Sequence, residues 1–139
     1  MLNPIAPPGV QGIDPAAPET YFDVPFQYPY AINLTSGQLI NGDTVSIFPE
    51  ADFLLRGLIF TSTGTFSIQF QDGEGYYLQA GLTFSSNLPN TPGDPFPMFP
   101  EVFYPAGGKI YINILDTSGA PNTGQFLFVG ASRYKVTGI

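Results

Sequence analysis

The chain has no cysteine, no histidine and no tryptophan among its 139 residues. The absence of cysteine excludes disulfides and thiolate metal sites. The absence of histidine excludes a serine nucleophile with a histidine base, and also the usual zinc sites. The sequence contains no phosphate-binding loop, dinucleotide fingerprint or nucleophile elbow. We therefore predict a protein that is not an enzyme and that holds no cofactor or metal.

Charged residues are also scarce, at 11% of the chain, and most are acidic: eleven Asp and Glu against four Lys and Arg give a net charge of -7. Nucleic-acid binding needs clustered Lys and Arg, so we predict none. No apolar run approaches the ~20 residues of a membrane helix, and the first residues do not form a secretory signal, so we predict no membrane contact. Aromatics reach 15%, which suggests that a partner covers some apolar surface.

What the chain does have is alternation of apolar and polar residues with a period of two. Residues 65–70 alternate most cleanly, residues 109–115 follow the same pattern, and residues 125–136 are predicted as a second long strand in which Phe126 and Phe128 alternate with Leu127 and Val129. This period is typical of half-buried β-strands. The segment 116–124 is rich in turn-forming residues, so we expect the last two strands to be neighbours in one sheet.

Further strands are predicted at residues 30–34, 44–48, 53–60 and 76–78, with 82–84 as a possible continuation. No apolar stripe with helical spacing occurs. Seven or eight short strands separated by turns indicate an all-β fold, an antiparallel β-sandwich with interdigitated Phe-rich faces. The length fits one domain with a core of its own.

Residues 1–29 differ from the rest because they contain seven prolines. Proline lacks the N–H and fixes φ, so this segment cannot be a helix and is a poor ladder strand. It is either a solvated tail or an extended arm that lies across a neighbouring subunit, and its apolar residues, among them Tyr21, Phe22 and Phe26, favour the arm slightly. The sandwich domain is then predicted to span residues 30–139.

Residues 87–105 form a second proline-rich segment, predicted as a long loop that is either functional or part of an interface. Near the end of the chain, Arg133 and Lys135 are predicted on the outer face of the last strand. They either protect an edge from pairing or meet an acidic patch on a partner. The candidate partner-binding residues are Tyr21, Phe22, Phe26, Phe96, Met98, Phe99, Arg133 and Lys135.

Three smaller features have more than one interpretation. Asp72 and Glu74 are expected in a solvated hairpin turn, with a glycosidase carboxylate pair or a weak calcium site as alternatives. Arg56 lies in an apolar run and needs an acceptor, either in a structural ion pair or across a subunit contact. The tyrosines at 76, 77, 104 and 111 could stack on sugar rings, but without tryptophan a place in the core or an interface is favoured.

The span 53–136 resembles small structural proteins of tailed bacteriophages. The resemblance lies in LLRGLIF (54–60), FSIQFQDG (66–73), PEVFYP (100–105) with GGKIYINI (107–114), and in the ending TSG (117–119), QFLFVG (125–130) and RYK (133–135). In capsid cement or decoration proteins of this kind, the resemblance implies a jelly roll, a symmetric homo-oligomer (dimer or trimer) and extended segments that clamp major capsid subunits. Residues 1–29 lie outside it.

The resemblance also implies a location at the capsid surface of the virion, after synthesis in the host cytoplasm, with the major capsid protein as partner. The alternative function is a tail or head-appendage protein that binds a host-surface glycan. A third, the carboxylate glycosidase, depends on Asp72 and Glu74.

Overall fold

The structure, a computed structural model, describes residues 20–91 and 93–136, and in them the chain forms eight β-strands. The strands are β1 Thr20–Leu34, β2 Leu39–Ser46, β3 Asp52–Ser62, β4 Phe66–Phe70, β5 Thr83–Phe84, β6 Phe96–Tyr104, β7 Lys109–Asp116 and β8 Asn122–Val136. A short 3-10 helix, Ser85–Asn87, follows β5. Within these ranges no helix has the length and apolar character needed to cross a membrane.

The described strands form two antiparallel sheets with the orders β1-β8-β3-β6 and β2-β7-β4-β5. The first strand pairs with the last, the second with the seventh, the third with the sixth and the fourth with the fifth. The chain is therefore one long hairpin rolled into a sandwich, and the β3–β8 and β4–β7 ladders close the two sheets. This order is the jelly roll, which confirms the predicted fold class.

The predicted pairing of the last two strands is wrong. β7 pairs with β2 and β4 in one sheet, whereas β8 pairs with β1 and β3 in the other. The connection at residues 117–121 crosses from sheet to sheet. Alternation identifies a strand but not its neighbour, and both strands bury their apolar faces better when they lie on opposite sides of the core.

The core lies between the sheets and is made mainly by alternate residues of the longer strands, whereas β5 contributes no buried residue. Its largest fully buried side chains are Tyr104, Phe53, Phe66, Phe70, Phe126, Phe128, Leu55, Leu58, Ile68, Ile110, Ile112 and Ile114. Phe70 of β4 meets Phe128 of β8 edge to face, with ring centroids 5.3 Å apart, so the aromatic contacts join the two sheets. The apolar alternation predicted at residues 66–70 and 110–114 is thus confirmed.

Two proline-rich segments that the sequence assigns to an arm and a loop are edge strands of the first sheet. β1 begins at Thr20 and contains Pro25 and Pro29, and β6 contains Pro97 and Pro100. On an edge strand every second N–H points away from the neighbouring strand, so a proline there costs no ladder hydrogen bond. The predicted boundary at residue 29 falls inside β1, and residues 1–19 of the predicted arm lie outside the described residues.

The edges of the second sheet are also interrupted. β2 carries a bulge between Ile40 and Asp43, and β5 has two residues. Both devices hinder pairing with another chain. Each edge in the described part of the molecule therefore has a feature that opposes strand addition.

A buried polar cluster holds the crossing between β7 and β8. The carboxylate of Asp116 accepts hydrogen bonds from the backbone N–H of Gly37 (2.8 Å), from the N–H and hydroxyl of Ser118 (3.1 and 2.6 Å) and from the amide of Asn122 (3.2 Å). The Asn122 amide also donates to the Thr65 carbonyl at 2.8 Å. These hydrogen bonds, with that of the Ser118 hydroxyl foremost, hold the pKa of Asp116 well below its usual value.

Candidate partner-binding surfaces

β1 and β8 extend beyond the rest of the first sheet. Their ladder continues to the pair Thr20 and Val136, whereas β3 joins β8 only from Arg133 inward. The end of this ladder, residues 20–24 with 132–136, of which 20–22 and 134–136 extend beyond β3, is here called the ribbon end. Phe22 stacks on Tyr134 with ring centroids 5.3 Å apart and still leaves half of its surface exposed. The ribbon end is thus an apolar surface beyond the core.

The predicted site residues fall into separate groups. Tyr21, Phe22, Arg133 and Lys135 lie at the ribbon end. Phe96, Met98 and Phe99 lie on β6, at the opposite edge of the first sheet. Phe26 belongs to neither group, because it packs against the core with its ring 5.1 Å from that of Tyr28 and 5.5 Å from that of Phe48.

Four charged side chains form a charge network across the outside of the first sheet. Asp23 of β1 accepts two hydrogen bonds from Arg133 of β8, at 2.8 and 2.9 Å. Arg56 of β3 contacts the same carboxylate at 3.4 Å and donates to Glu101 of β6 at 2.8 Å. The hydrogen bond from Arg133 is the main cause of the lowered pKa of Asp23. Arg56 therefore forms structural ion pairs, and the network touches every strand of this sheet.

β6 bulges where it passes Arg56. Leu55 pairs with Val102 and Gly57 pairs with Pro97, so four residues of β6 stand opposite one residue of β3. Residues 98–101 therefore arch away from the sheet, and we call them the β6 arch. Phe99, within the arch, is 95% exposed, whereas Met98 packs against the core. Bulges of this kind re-aim side chains at sheet edges.

A groove lies between the β6 arch and the turn that follows β4. Its volume is about 560 Å³, and its lining residues are Asp72, Gly73, Glu74, Leu78 and residues 97–103. We call it the β6 groove. Phe103, half exposed, lines it as Phe99 does. The groove combines an aromatic wall with carboxylates.

The turn at Asp72 supplies the acidic side of the groove. Asp72 Oδ1 accepts hydrogen bonds from the backbone N–H groups of Glu74 and Tyr76, both at 2.9 Å. This carboxylate therefore caps the turn, in agreement with the turn interpretation. Among the described residues neither Asp72 nor Glu74 forms an ion pair, and no group of three potential ligands assembles there for a metal ion.

A tyrosine face occupies the outside of the second sheet. Tyr77 and Tyr111 are each about half exposed. The amide of Asn113 donates to the Tyr77 hydroxyl and to Gln69 Oε1, each at 3.3 Å. Tyr104, which the sequence analysis grouped with these tyrosines, is instead fully buried and donates its hydroxyl to the Gln71 carbonyl. Burial raises its pKa.

Neither Phe103 nor the approach of the 72–74 turn to β6 was predicted from the sequence. Val102, Phe103 and Tyr104 are all apolar or aromatic, so alternation does not reveal which of them faces inward. Which of them faces inward depends on the register of β6 against β3, and that register includes the bulge at residues 98–101.

The chain matches no protein-family model, no curated protein and no solved structure. Its function is therefore inferred from the exposed surfaces described above.

Proposed function

We propose that the chain is a structural protein of a bacteriophage virion, of the capsid cement or decoration type, which binds across major capsid subunits and stabilises the shell. The observation that carries this proposal is the position of two exposed apolar surfaces, the ribbon end and the β6 groove, at opposite edges of one sheet. A protein that bridges two subunits needs two separate adhesive surfaces. The jelly-roll order and the resemblance of residues 53–136 also support it.

The side chains at these surfaces suit binding by burial. Phe22 and Phe103 are each 51% exposed and Phe99 is 95% exposed. Covering apolar area stabilises a complex by roughly 25 cal/mol per Å². Several such anchors on each copy, repeated over a shell, reinforce it collectively. Because the sheet edges oppose strand addition, contact through side chains and faces is favoured over β-augmentation.

Quantitative mass spectrometry of purified particles that encode this chain tests the proposal. We expect a copy number comparable to that of the major capsid protein. Particles that lack the gene are expected to disassemble at a lower temperature, with restored particles as the control. A copy number of a few per particle would instead point to a tail or portal location, and absence from the particle would reject any virion role.

We also propose that the protein is a dimer or trimer. Sedimentation velocity over a range of concentrations tests this. A stable mass of two or three chains is expected, whereas a monomer at all concentrations would contradict it.

The tyrosine face supports an alternative, an appendage protein that binds a host-surface glycan. Exposed tyrosine rings beside Asn113 and Gln69 offer stacking and hydrogen bonds of the kind that sugars accept. A glycan array with the wild-type protein and with Tyr77→Ala and Tyr111→Ala variants tests it. Binding that is lost in both variants would favour this function over capsid decoration, and no binding to any glycan would reject it.

A further inference from the structure

We propose that the β6 groove binds an extended segment of the partner protein in which Lys or Arg lies beside apolar side chains. This proposal rests on the proposed function and deepens it, since it gives the chemistry of the capsid segment that the groove would hold. It depends on three features of the described residues: the exposure of Phe99, the shape of the groove and the sign of its charges.

The first feature is the exposure of the β6 arch. Phe99 presents nearly its whole side chain to solvent, and half of Phe103 is exposed on the same strand. Pro97 and Pro100 flank Phe99 and restrict the backbone, so little conformational entropy remains to be lost when a partner binds. Glu101 bonds to Arg56 at 2.8 Å and fixes the end of the arch. The arch therefore presents an apolar anchor in a prepared position.

The second feature is shape. At about 560 Å³ the groove is comparable in size to sites that hold small ligands, and it is open along β6. Aromatic and aliphatic side chains form one wall, and the turn with Asp72 and Glu74 forms the other. An extended chain that alternates two kinds of side chain can place one kind on each wall.

The third feature is charge. The carboxylates that line the groove are those of Asp72, Glu74 and Glu101. Glu101 is neutralised by Arg56, whereas the other two face no cation within the described residues. A partner Lys or Arg would be attracted by these carboxylates and also by the faces of Phe99 and Phe103. The occupant with complementary charge is therefore basic.

The net charge of the chain argues against a second copy as the occupant. Each copy carries -7, so the acidic groove is a poor contact between copies, and the proposed dimer or trimer is expected to form through another surface. A basic segment of a different protein is attracted to the same groove.

Fluorescence anisotropy with the full-length protein tests the proposal. The probes are two fluorescein-labelled octapeptides, Gly-Leu-Lys-Leu-Lys-Val-Ser-Gly, in which both lysines share one face of an extended chain, and the same sequence with glutamate in place of both lysines. We expect saturable binding of the lysine peptide, at least ~10-fold weaker binding of the glutamate peptide, and loss of this preference in high salt. Equal affinity of the two peptides, or no binding of the lysine peptide, would overturn the proposal.

Two variants locate the binding. Phe99→Ser removes a side chain that lies in solvent, and Glu74→Gln removes a charge without touching the Asp72 cap. Each is expected to weaken the binding of the lysine peptide by about fivefold or more. Leu39→Ser, on β2, and Asp94→Asn, outside the groove lining, are the matched controls and are expected to bind as the wild type does. Unchanged affinity in Phe99→Ser would place the peptide elsewhere and overturn the proposal.

The same variants separate the remaining outcomes. If Phe99→Ser abolishes self-association in sedimentation velocity while neither peptide binds, the groove is a contact between copies and the proposal fails. A high copy number in particles without peptide discrimination would leave the proposed function in place and reject this inference alone. Peptide discrimination by a protein that is absent from particles would reject the proposed function and leave this inference in place.

Discussion

At the scale of single residues, Asp116 shows how one side chain can fix a connection between the two sheets. Its two carboxylate oxygens accept hydrogen bonds from residues 118–122, beside the crossing, and from the N–H of Gly37, in the turn between β1 and β2. A carboxylate can accept on both oxygens, whereas an amide offers one acceptor and turns its NH₂ toward donors. The position therefore requires an ionised acid.

The first prediction concerns the pH dependence of this acid. Its pKa is lowered on folding from an ordinary value of 3.8, so its stabilisation is fully present above that value and is lost as pH falls toward the folded-state pKa. Thermal midpoints of the wild type and Asp116→Asn, measured from neutral to acid pH, should differ by a constant amount above about pH 4. Below that the difference should shrink. A difference that persists undiminished in acid would contradict the assignment.

The second prediction concerns Gly130, in the central strand β8. A Cβ at this position would lie 1.8 Å from the carbonyl oxygen of Leu54 on β3, so any larger residue must push the two strands apart. Gly130→Ala is expected to lower the free energy of unfolding by about 2 kcal/mol or more in urea titrations. Gly81→Ala is the control, because a Cβ there meets nothing within 4 Å. Equal stability of the two variants would show that the strands can adjust.

At the scale of elements, two prolines determine which hydrogen-bond donors the edge strand β1 presents on its open side. Pro25 and Pro29 lie four positions apart, an even spacing, so both direct the missing N–H to the same side of β1, away from β8. This arrangement leaves the ladder to β8 intact and removes donors from the open side. An incoming strand would therefore find no N–H donor at these two positions.

The third prediction is that β1 becomes adhesive when these prolines are replaced. The double variant Pro25→Thr/Pro29→Thr restores two outward N–H groups and should form concentration-dependent aggregates, detected by sedimentation velocity and a β-sheet dye. Its circular dichroism should stay that of the wild type. Pro49→Ala, outside the strands, is the control. If the double variant remains as dispersed as the control, the prolines do not protect the edge.

The elements also show what the sequence could and could not predict. Strands β4 and β7 were predictable because each buries every second residue on one face. Of β1 only the end, residues 30–34, was predictable, and β6 was not, because proline is a poor strand residue in general and tolerable only at an edge, and a single strand pattern does not say where the edge is. The predicted pairing of β7 with β8 was wrong because the neighbours of a strand depend on the topology of the whole domain, which a local pattern does not contain.

Prediction of the candidate site had a similar limit. Phe99 was identified from its proline-rich surroundings, but Phe103 and the acidic turn at Asp72 join it only after β6 bulges beside Arg56. Tyr104 is buried, in agreement with the favoured place in the core or an interface, but the sequence could not decide between the two because its neighbours are equally apolar. A groove built from segments about 25 residues apart requires the register of two strands, which the local pattern does not contain.

At the scale of the whole molecule, the charge network ties each strand of the first sheet to another. Asp23 lies between two arginines, one on β8 and one on β3. Among the described residues no other carboxylate forms an ion pair with both, so its sign determines whether the network attracts or repels.

The fourth prediction follows from this position. Asp23→Arg would place a third guanidinium beside Arg56 and Arg133, and the thermal midpoint should fall. The loss should be largest at low salt and smaller at about 1 M, where the Debye length is only ~3 Å. The swapped pair Asp23→Arg/Arg133→Asp should recover much of it. A loss that is independent of salt and not recovered by the swap would assign the effect to packing instead.

The pairing of the first strand with the last has a mechanical consequence. Thr20 and Val136 are cross-strand partners at the ribbon end, so a force that separates these two residues acts across the β1–β8 ladder and opens it one pair at a time. A force directed along the strands would load the whole ladder at once, in shear. The molecule should therefore be weak when these two residues are pulled apart across the ladder, and strong when the two strands are pulled along their length in opposite directions.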